Sequence, residues 1–304
     1  MINAFSKVML KATDLKLSKY LFTDLSAGRK LALRFVAGET LEEAVAVARE
    51  LNEQGMSVSL DHLGESVSDV GSARAARDDY LACLDEIAEF GLDSNISVKL
   101  TQLGLSLDRE LAIDAMRQLA GRAAEVGTSV TIDMEDSPYT DATLDIYELV
   151  QREYGNLGVA VQAYLYRTAA DISRIARLGG HIRLCKGAYA EPDKIAMSRK
   201  EHVDANFATL TQQLMDQHDA KPAIASHDDR LIDLTRTLVT DRESPFEFQM
   251  LYGIREQLQE ELVRQGHPLR IYVPYGSEWY PYLTRRLAER PANTLFFMRA
   301  LFGK

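Results

Sequence analysis

Eight short, apolar, β-branched runs recur along the chain, separated by longer stretches with helical spacing. In order they are SVSLDH at Asp61, ISVKL at Lys99, SVTIDM at Asp133, VAVQAY at Gln162, HIRLCK with Arg183 and Lys186, AIASHD at His227, FEFQML at Gln249 and LRIYVP with Tyr272. Strands that are apolar almost throughout are buried on both faces, and strand–helix alternation builds a parallel sheet covered by helices. Eight such units close into an α/β structure, a (β/α)8 TIM-type barrel. Nearly every run ends in a polar or charged residue. The C-terminal strand ends of this fold carry its chemistry, so these side chains are predicted to converge on one pocket.

At 304 residues, a barrel with extra N-terminal helices accounts for the chain as one domain, with a helical segment over 1–54 and the barrel over 55–304. Ile2 to about Gly38 reads as helical. Thr40 and Glu43 have capping-box spacing and open the helix LEEAVAVAREL, which stops at Gly55. Later helices are expected at Ser72 to Phe90, Asp108 to Val126, Asp141 to Tyr154, Ala169 to Leu178, Pro192 to about Gln217, Asp228 to Val239, Ile254 to Arg264 and Trp279 to Arg290.

A net charge of −10 argues against a nucleic-acid surface. Cys83 and Cys185 are the only cysteines and form neither a disulfide framework nor a CxxC motif. The start, MINAFSKVML, has no signal-like apolar region, and no 18-residue apolar run exists, so a cytoplasmic protein is expected. The apolar end of NTLFFMRALF either caps the barrel or makes peripheral contact with the inner face of a membrane; packing is the favoured reading.

Four constellations bear on chemistry. On a helix after strand eight, Tyr282, Arg285, Arg286 and Glu289 fall on one face. Paired guanidiniums fit a carboxylate or phosphate bidentately, although a solvated face with Glu289 in an i+4 pair has the same spacing. Lys99 ends a buried strand. It is either a snorkelling lysine or an ammonium in the pocket, acting as a Schiff-base amine or as a charge partner. Burial requires a counter-charge, and Asp133 on the next strand is the natural one. In HIRLCKGAY, Arg183 and Lys186 flank Cys185, read as packing, and Gly187 permits close approach of a ligand. His227 and Asp228 end strand six. With His62 and Asp61 they fall short of a metal motif, and nearby lysines oppose a cation. GxGxxG and GxxxxGK are absent, so spacing alone reveals no cofactor.

Together, LDHLGE, ISVKLTQLG, IDMED, VQAY, RLCKGAY, ASHD, FEFQMLYGI and RIYVPYGSEWYPYLTRRLAERPANT resemble the motifs of the proline dehydrogenase family, in order from Asp61 to Thr294. The resemblance implies non-covalent FAD and oxidation of L-proline to Δ1-pyrroline-5-carboxylate. Hydride passes from proline C5 to flavin N5 and electrons continue to a quinone. This is the first step of proline catabolism, with hand-off to a pyrroline-5-carboxylate dehydrogenase.

The resemblance further implies that Arg285, Arg286 and Lys99 clamp the substrate carboxylate, while Tyr189, Leu251, Tyr272 and Tyr282 wall its ring. Asp133 and Arg183 are the catalytic pair, with Arg183 near flavin N5 and Asp133 orienting Lys99. Met134, Gln162, Lys186, Gly187, Ala188, Ser226 and His227 contact the cofactor along with Arg183. Glu65 gates the site by pairing with Arg285, and Glu289 belongs to the same gate. Ala190 stands where some relatives have an aromatic residue. Tyr272 matches the form selective for proline over hydroxyproline. The rival enzyme class is a barrel aldolase with Lys99 or Lys186 as Schiff-base amine; a third reading is an inactive binding scaffold.

Overall fold

The computed structural model describes residues 34–64, 66–239, 244–280 and 282. Over these residues, eight parallel strands close into a barrel in sequence order. The strands are β1 Ser57–His62, β2 Ser94–Val98, β3 Val130–Ile132, β4 Leu157–Gln162, β5 His181–Cys185, β6 Lys221–Ala225, β7 Glu247–Leu251 and β8 Leu269–Tyr275. β1 closes the ring by pairing with β8, from Ser57 opposite Arg270 to His62 opposite Tyr275. All eight expected strands are present.

The helices are α1 Leu41–Glu53, α2 Val70–Glu89, α3 Arg109–Glu125, α4 Thr140–Tyr154, α5 Thr168–Ile175, α6 Lys200–Met215, α7 Asp229–Leu238 and α8 Glu256–Arg264. α1 carries the predicted capping box: the Thr40 hydroxyl accepts from Glu43 N, and Glu43 accepts from Thr40 N at 3.1 Å. Asp69, Asp108 and Asp228 cap α2, α3 and α7 in the same way, each side chain accepting from a first-turn amide. Each cap satisfies an amide that the helix itself leaves without a partner.

One expected helix starts too early. Pro192 to Arg199 is not part of α6. This stretch lies beside the loop after β4, with Leu165 bridged antiparallel to Ala196 and with Tyr166 N donating to Ile195 O and Met197 N to Tyr164 O. Tertiary pairing outweighs the helical pattern there. The helical reading of Ile2 to about Gly38 falls mostly outside the described residues, as do the helix proposed to run to Arg290, beyond its first turn, and the NTLFFMRALF segment.

The apolar core lies between strands and helices. Outward-facing Val58, Leu60, Ile96, Val98, Ile132, Val159, Leu184, Phe248 and Ile271 pack in one cluster with Tyr80, Leu84, Leu119, Leu144 and Phe207. Fully burying each aliphatic side chain contributes about 1.5–3 kcal/mol. Alternate residues point into the barrel, and there the composition changes. Barrels of this type are ordinarily filled by branched apolar residues. This one holds Ser59, Asn95, Ser97, Thr131, Arg183, Glu247, Gln249 and Arg270, bonded to one another across the lumen.

Candidate active site

The C-terminal rim of the barrel encloses a cavity of ≈ 770 Å³. Lys99, Asp133, Met134, Gln162, Arg183, Lys186, Gly187, Ala188, Tyr189, Ser226, His227, Leu251, Tyr272 and Tyr282 all line it. Strand and loop tips far apart in sequence thus converge as expected. Glu65, Arg285, Arg286 and Glu289 lie outside the described residues.

The centre of the cluster is Asp133, at the tip of β3. Its Oδ1 accepts from Arg183 Nη1 at 2.5 Å and from the Ser97 hydroxyl at 2.7 Å. Its Oδ2 accepts from the Tyr272 hydroxyl at 2.7 Å and from Lys99 Nζ at 3.4 Å. Burial alone favours the neutral acid, but Lys99 and Arg183, with the two hydroxyls, hold the carboxyl below its ordinary range. Arg183 lies over the Tyr272 ring, 5.2 Å from its centroid, a cation–π contact in an interior setting where such contacts are strongest.

Asp133 is not the only partner of Lys99. Asp61, at the tip of β1, is closer, at 3.0 Å. Burial pulls the ammonium toward neutrality, but Asp61 and Asp133 outweigh it and hold Lys99 above its ordinary value. A Schiff-base amine must be neutral to attack a carbonyl. Lys99, charged between two carboxylates, is set up as an ion partner instead.

Lys186, the aldolase reading's other amine, is also ion-paired. It donates to Asp204 at 2.6 Å and Asp228 at 3.2 Å. Arg230 reaches the same two carboxylates, and Lys200 bonds Asp204. Hydrogen bonding from Arg230, then Lys186, holds Asp228 well below the carboxylate range.

His227 lies in the loop after β6 and is hydrogen-bonded there. Its Nε2 accepts from Leu251 N at 3.0 Å, and Arg255 donates to its carbonyl at 2.7 Å. His62 belongs elsewhere: it stacks on Tyr275 at 5.2 Å and approaches Asp79 at 3.5 Å. Cys185, read as a packing thiol, is only half-buried and lines the cavity.

Gly187 has φ +112°, and a Cβ there would stand 2.2 Å from the Tyr164 ring. Both facts require glycine. Gly187→Ala is expected to cost about 1–3 kcal/mol, read as a fall in Tm.

Sequence reasoning gave Ser97 and Glu247 no role, named Gln249 only as the polar residue of its run, and did not pair Asp61 with Lys99. The signal was alternation within each run: Ser59 and Asp61, Ser97 and Lys99, Glu247 and Gln249, Arg270 and Tyr272 each lie two apart, hence on one strand face.

The fold and the rim define a barrel enzyme whose catalytic mouth joins buried cations and carboxylates to a cofactor-sized cavity. The family model for proline dehydrogenase matches residues 44–299. The chain belongs to the proline dehydrogenase family. It is 42% identical over 277 residues to proline dehydrogenase 1 of Bacillus subtilis, covering 90% of this chain and 91% of that protein. It is 35% identical over 279 residues to a proline dehydrogenase of Deinococcus radiodurans, covering 89% and 90%. Among solved structures it resembles proline utilization A (PutA) from Bdellovibrio bacteriovorus inactivated by N-propargylglycine. The TM-score is 0.80 at 25% identity, over 86% of this chain and 33% of that one. The chain therefore spans about a third of that longer protein. Among the described residues no helix is long and apolar enough to cross a membrane.

Proposed function

We propose that this protein oxidises L-proline to Δ1-pyrroline-5-carboxylate, the first step of proline catabolism, with FAD as bound cofactor and a quinone as final electron acceptor. One observation carries the reading. Lys99, Asp133, Arg183 and Tyr272 form a single bonded group that faces the cavity, in a chain whose family is proline dehydrogenase.

The cavity suits the cofactor. Its volume lies within the range of small-molecule sites. The small side chains of Ala160 and Ala225, beside Arg183 and Gln249 on the neighbouring strands, line it and leave room for a flat ring system. Lys186 and Lys200, held by Asp204 and Asp228, line the cavity and offer ammonium donors to a diphosphate. Met134, Gln162, Arg183, Lys186, Gly187, Ala188, Ser226 and His227 are the residues that would hold FAD. Bound FAD supplies the two-electron acceptor, at N5, for the hydride that leaves proline C5.

The remaining work belongs to the protein. Lys99, with Arg285 and Arg286, grips the substrate carboxylate. Tyr189, Leu251, Tyr272 and Tyr282 enclose the ring, while Glu65 and Glu289 close the entrance. The substrate amine must be neutral so that its lone pair forms the C=N bond, and the surrounding cations lower its pKa in that direction. Asp133 keeps Lys99 and Arg183 charged and in place. Such positioning supplies about 7 kcal/mol or more of the barrier reduction. The product passes to a pyrroline-5-carboxylate dehydrogenase. Transfer to a quinone has the enzyme working in the cytoplasm, in peripheral contact with the inner face of a membrane.

The test is an absorption spectrum. The purified protein is expected to be yellow and to bleach when proline is added without oxygen; a spectrum unchanged by proline overturns the reading. The Tyr272 hydroxyl is committed to Asp133 and its ring is held under Arg183, so the ring cannot swing aside for a substrate hydroxyl. Turnover of proline is expected to exceed that of trans-4-hydroxyproline by at least about 10-fold. Equal rates would remove the selective role of Tyr272.

A further inference from the structure

The polar lumen beneath the site is a continuous chain of hydrogen bonds from Arg270 to Asp133. At its base, Arg270 Nη1 donates to Val58 O at 2.7 Å, and its Nε donates to Glu247 Oε1 at 2.9 Å. Glu247 Oε1 also accepts from Gln249 Nε2 at 2.5 Å. Gln249 Oε1 accepts from Arg183 Nε at 2.5 Å, and Arg183 Nη1 reaches Asp133. Glu247 accepts from both sides, Arg183 donates to both sides, and the Gln249 amide between them must donate to one and accept from the other. An amide can be turned end for end with little change in shape. Glu247 removes that freedom here: as a carboxylate it only accepts, so the amide nitrogen of Gln249 must face it and the oxygen must face Arg183. Reversed, the amide would place an N–H against the Arg183 N–H in a buried space, where a lost hydrogen bond is costly. Burial alone would favour the neutral acid at Glu247, but Arg270, then His181, hold its carboxyl below the ordinary range, so it remains an acceptor.

We propose that Glu247 and Gln249 are positioning residues that set the orientation of the Arg183 guanidinium from below. Glu247 fixes the sense of the Gln249 amide, and Gln249 fixes the guanidinium plane by binding its Nε edge, while Asp133 holds the opposite edge. This rests on the reading of Arg183 as the cation beside the reduced cofactor. The chain accounts for the ionic pair at the foot of the barrel, far from the mouth, in a space that apolar side chains ordinarily fill.

The test compares Glu247→Gln, Gln249→Met and their double variant, each loaded with FAD. Each single variant is expected to lower kcat about tenfold and move KM for proline less than about threefold. Each is also expected to make the midpoint potential of the bound flavin about 30 mV more negative, the two-electron equivalent of tenfold. The double variant is expected to be no worse than Gln249→Met, because both act along one path. Should Glu247→Gln not fold, Glu247→Leu with Arg270→Met replaces the ion pair by apolar side chains, a change often neutral for stability; the same kinetic and potential shifts are expected. An unchanged potential, or losses that add, overturns the positioning role. A parent protein that proline does not bleach overturns the reading of the site itself, whereas a parent that bleaches beside a Glu247→Gln variant of unaltered potential overturns this inference alone.

Discussion

Arg183→Met is expected to lower kcat for proline about 10²–10³-fold while KM changes less than about threefold. The guanidinium is 4% exposed and is bonded to Asp133, Ser97 and Gln249. A cation held this firmly before the substrate binds is preorganised. It does not need to move as negative charge develops beside it, so its contribution falls on the transition state and not on ground-state binding. Methionine keeps most of the volume and removes the charge. Steady-state kinetics with proline, beside a thermal melt of the variant, measures the effect. A KM that rises while kcat holds would show that Arg183 binds substrate instead.

Lys99→Met is expected to produce the contrasting pattern: kcat/KM falls about 10²–10³-fold, chiefly through KM. Lys99 faces the cavity with its ammonium between Asp61 and Asp133. Its charge is therefore available to an anionic substrate group, and the two carboxylates keep it from losing a proton. Removal also leaves Asp61 without its cation. The variant is expected to unfold at a lower urea concentration than the parent, because an uncompensated buried carboxylate destabilises the native state. Saturation curves with proline, and urea midpoints for parent and variant, separate the two effects. A variant with unchanged KM would remove Lys99 from the carboxylate clamp.

The barrel was legible because its strands are apolar almost throughout and their tips are not. SVSLDH, SVTIDM and HIRLCK each report a doubly covered strand and a functional end in a few residues. Helix starts were legible where an aspartate or threonine stood before a periodic run, as at Thr40, Asp108 and Asp228. Partnership was less legible. Lys99 and Asp61 are 38 residues apart, and no local pattern shows that β1 and β2 bring them together more closely than β2 and β3 bring Lys99 to Asp133. The early start assigned to α6 fails for a related reason: the stretch from Pro192 is held by antiparallel bonds to Tyr164 and Tyr166, which helical spacing does not encode. Glu247 was passed over, and Gln249 was read only as the polar tip of FEFQML, because that run was otherwise read as apolar. Its two polar positions alternate with Phe248 and Met250, and that alternation places them in the lumen.

Cohesion in this molecule comes from a sleeve, not from a plug. The greasy side chains that hold strand to helix form a ring around a hydrophilic shaft, and few of the groups bearing on chemistry belong to that ring. Selection on specificity can therefore rewrite the shaft one residue at a time without loosening the sleeve, provided that each exchange leaves its neighbours with acceptors and donors in matching order.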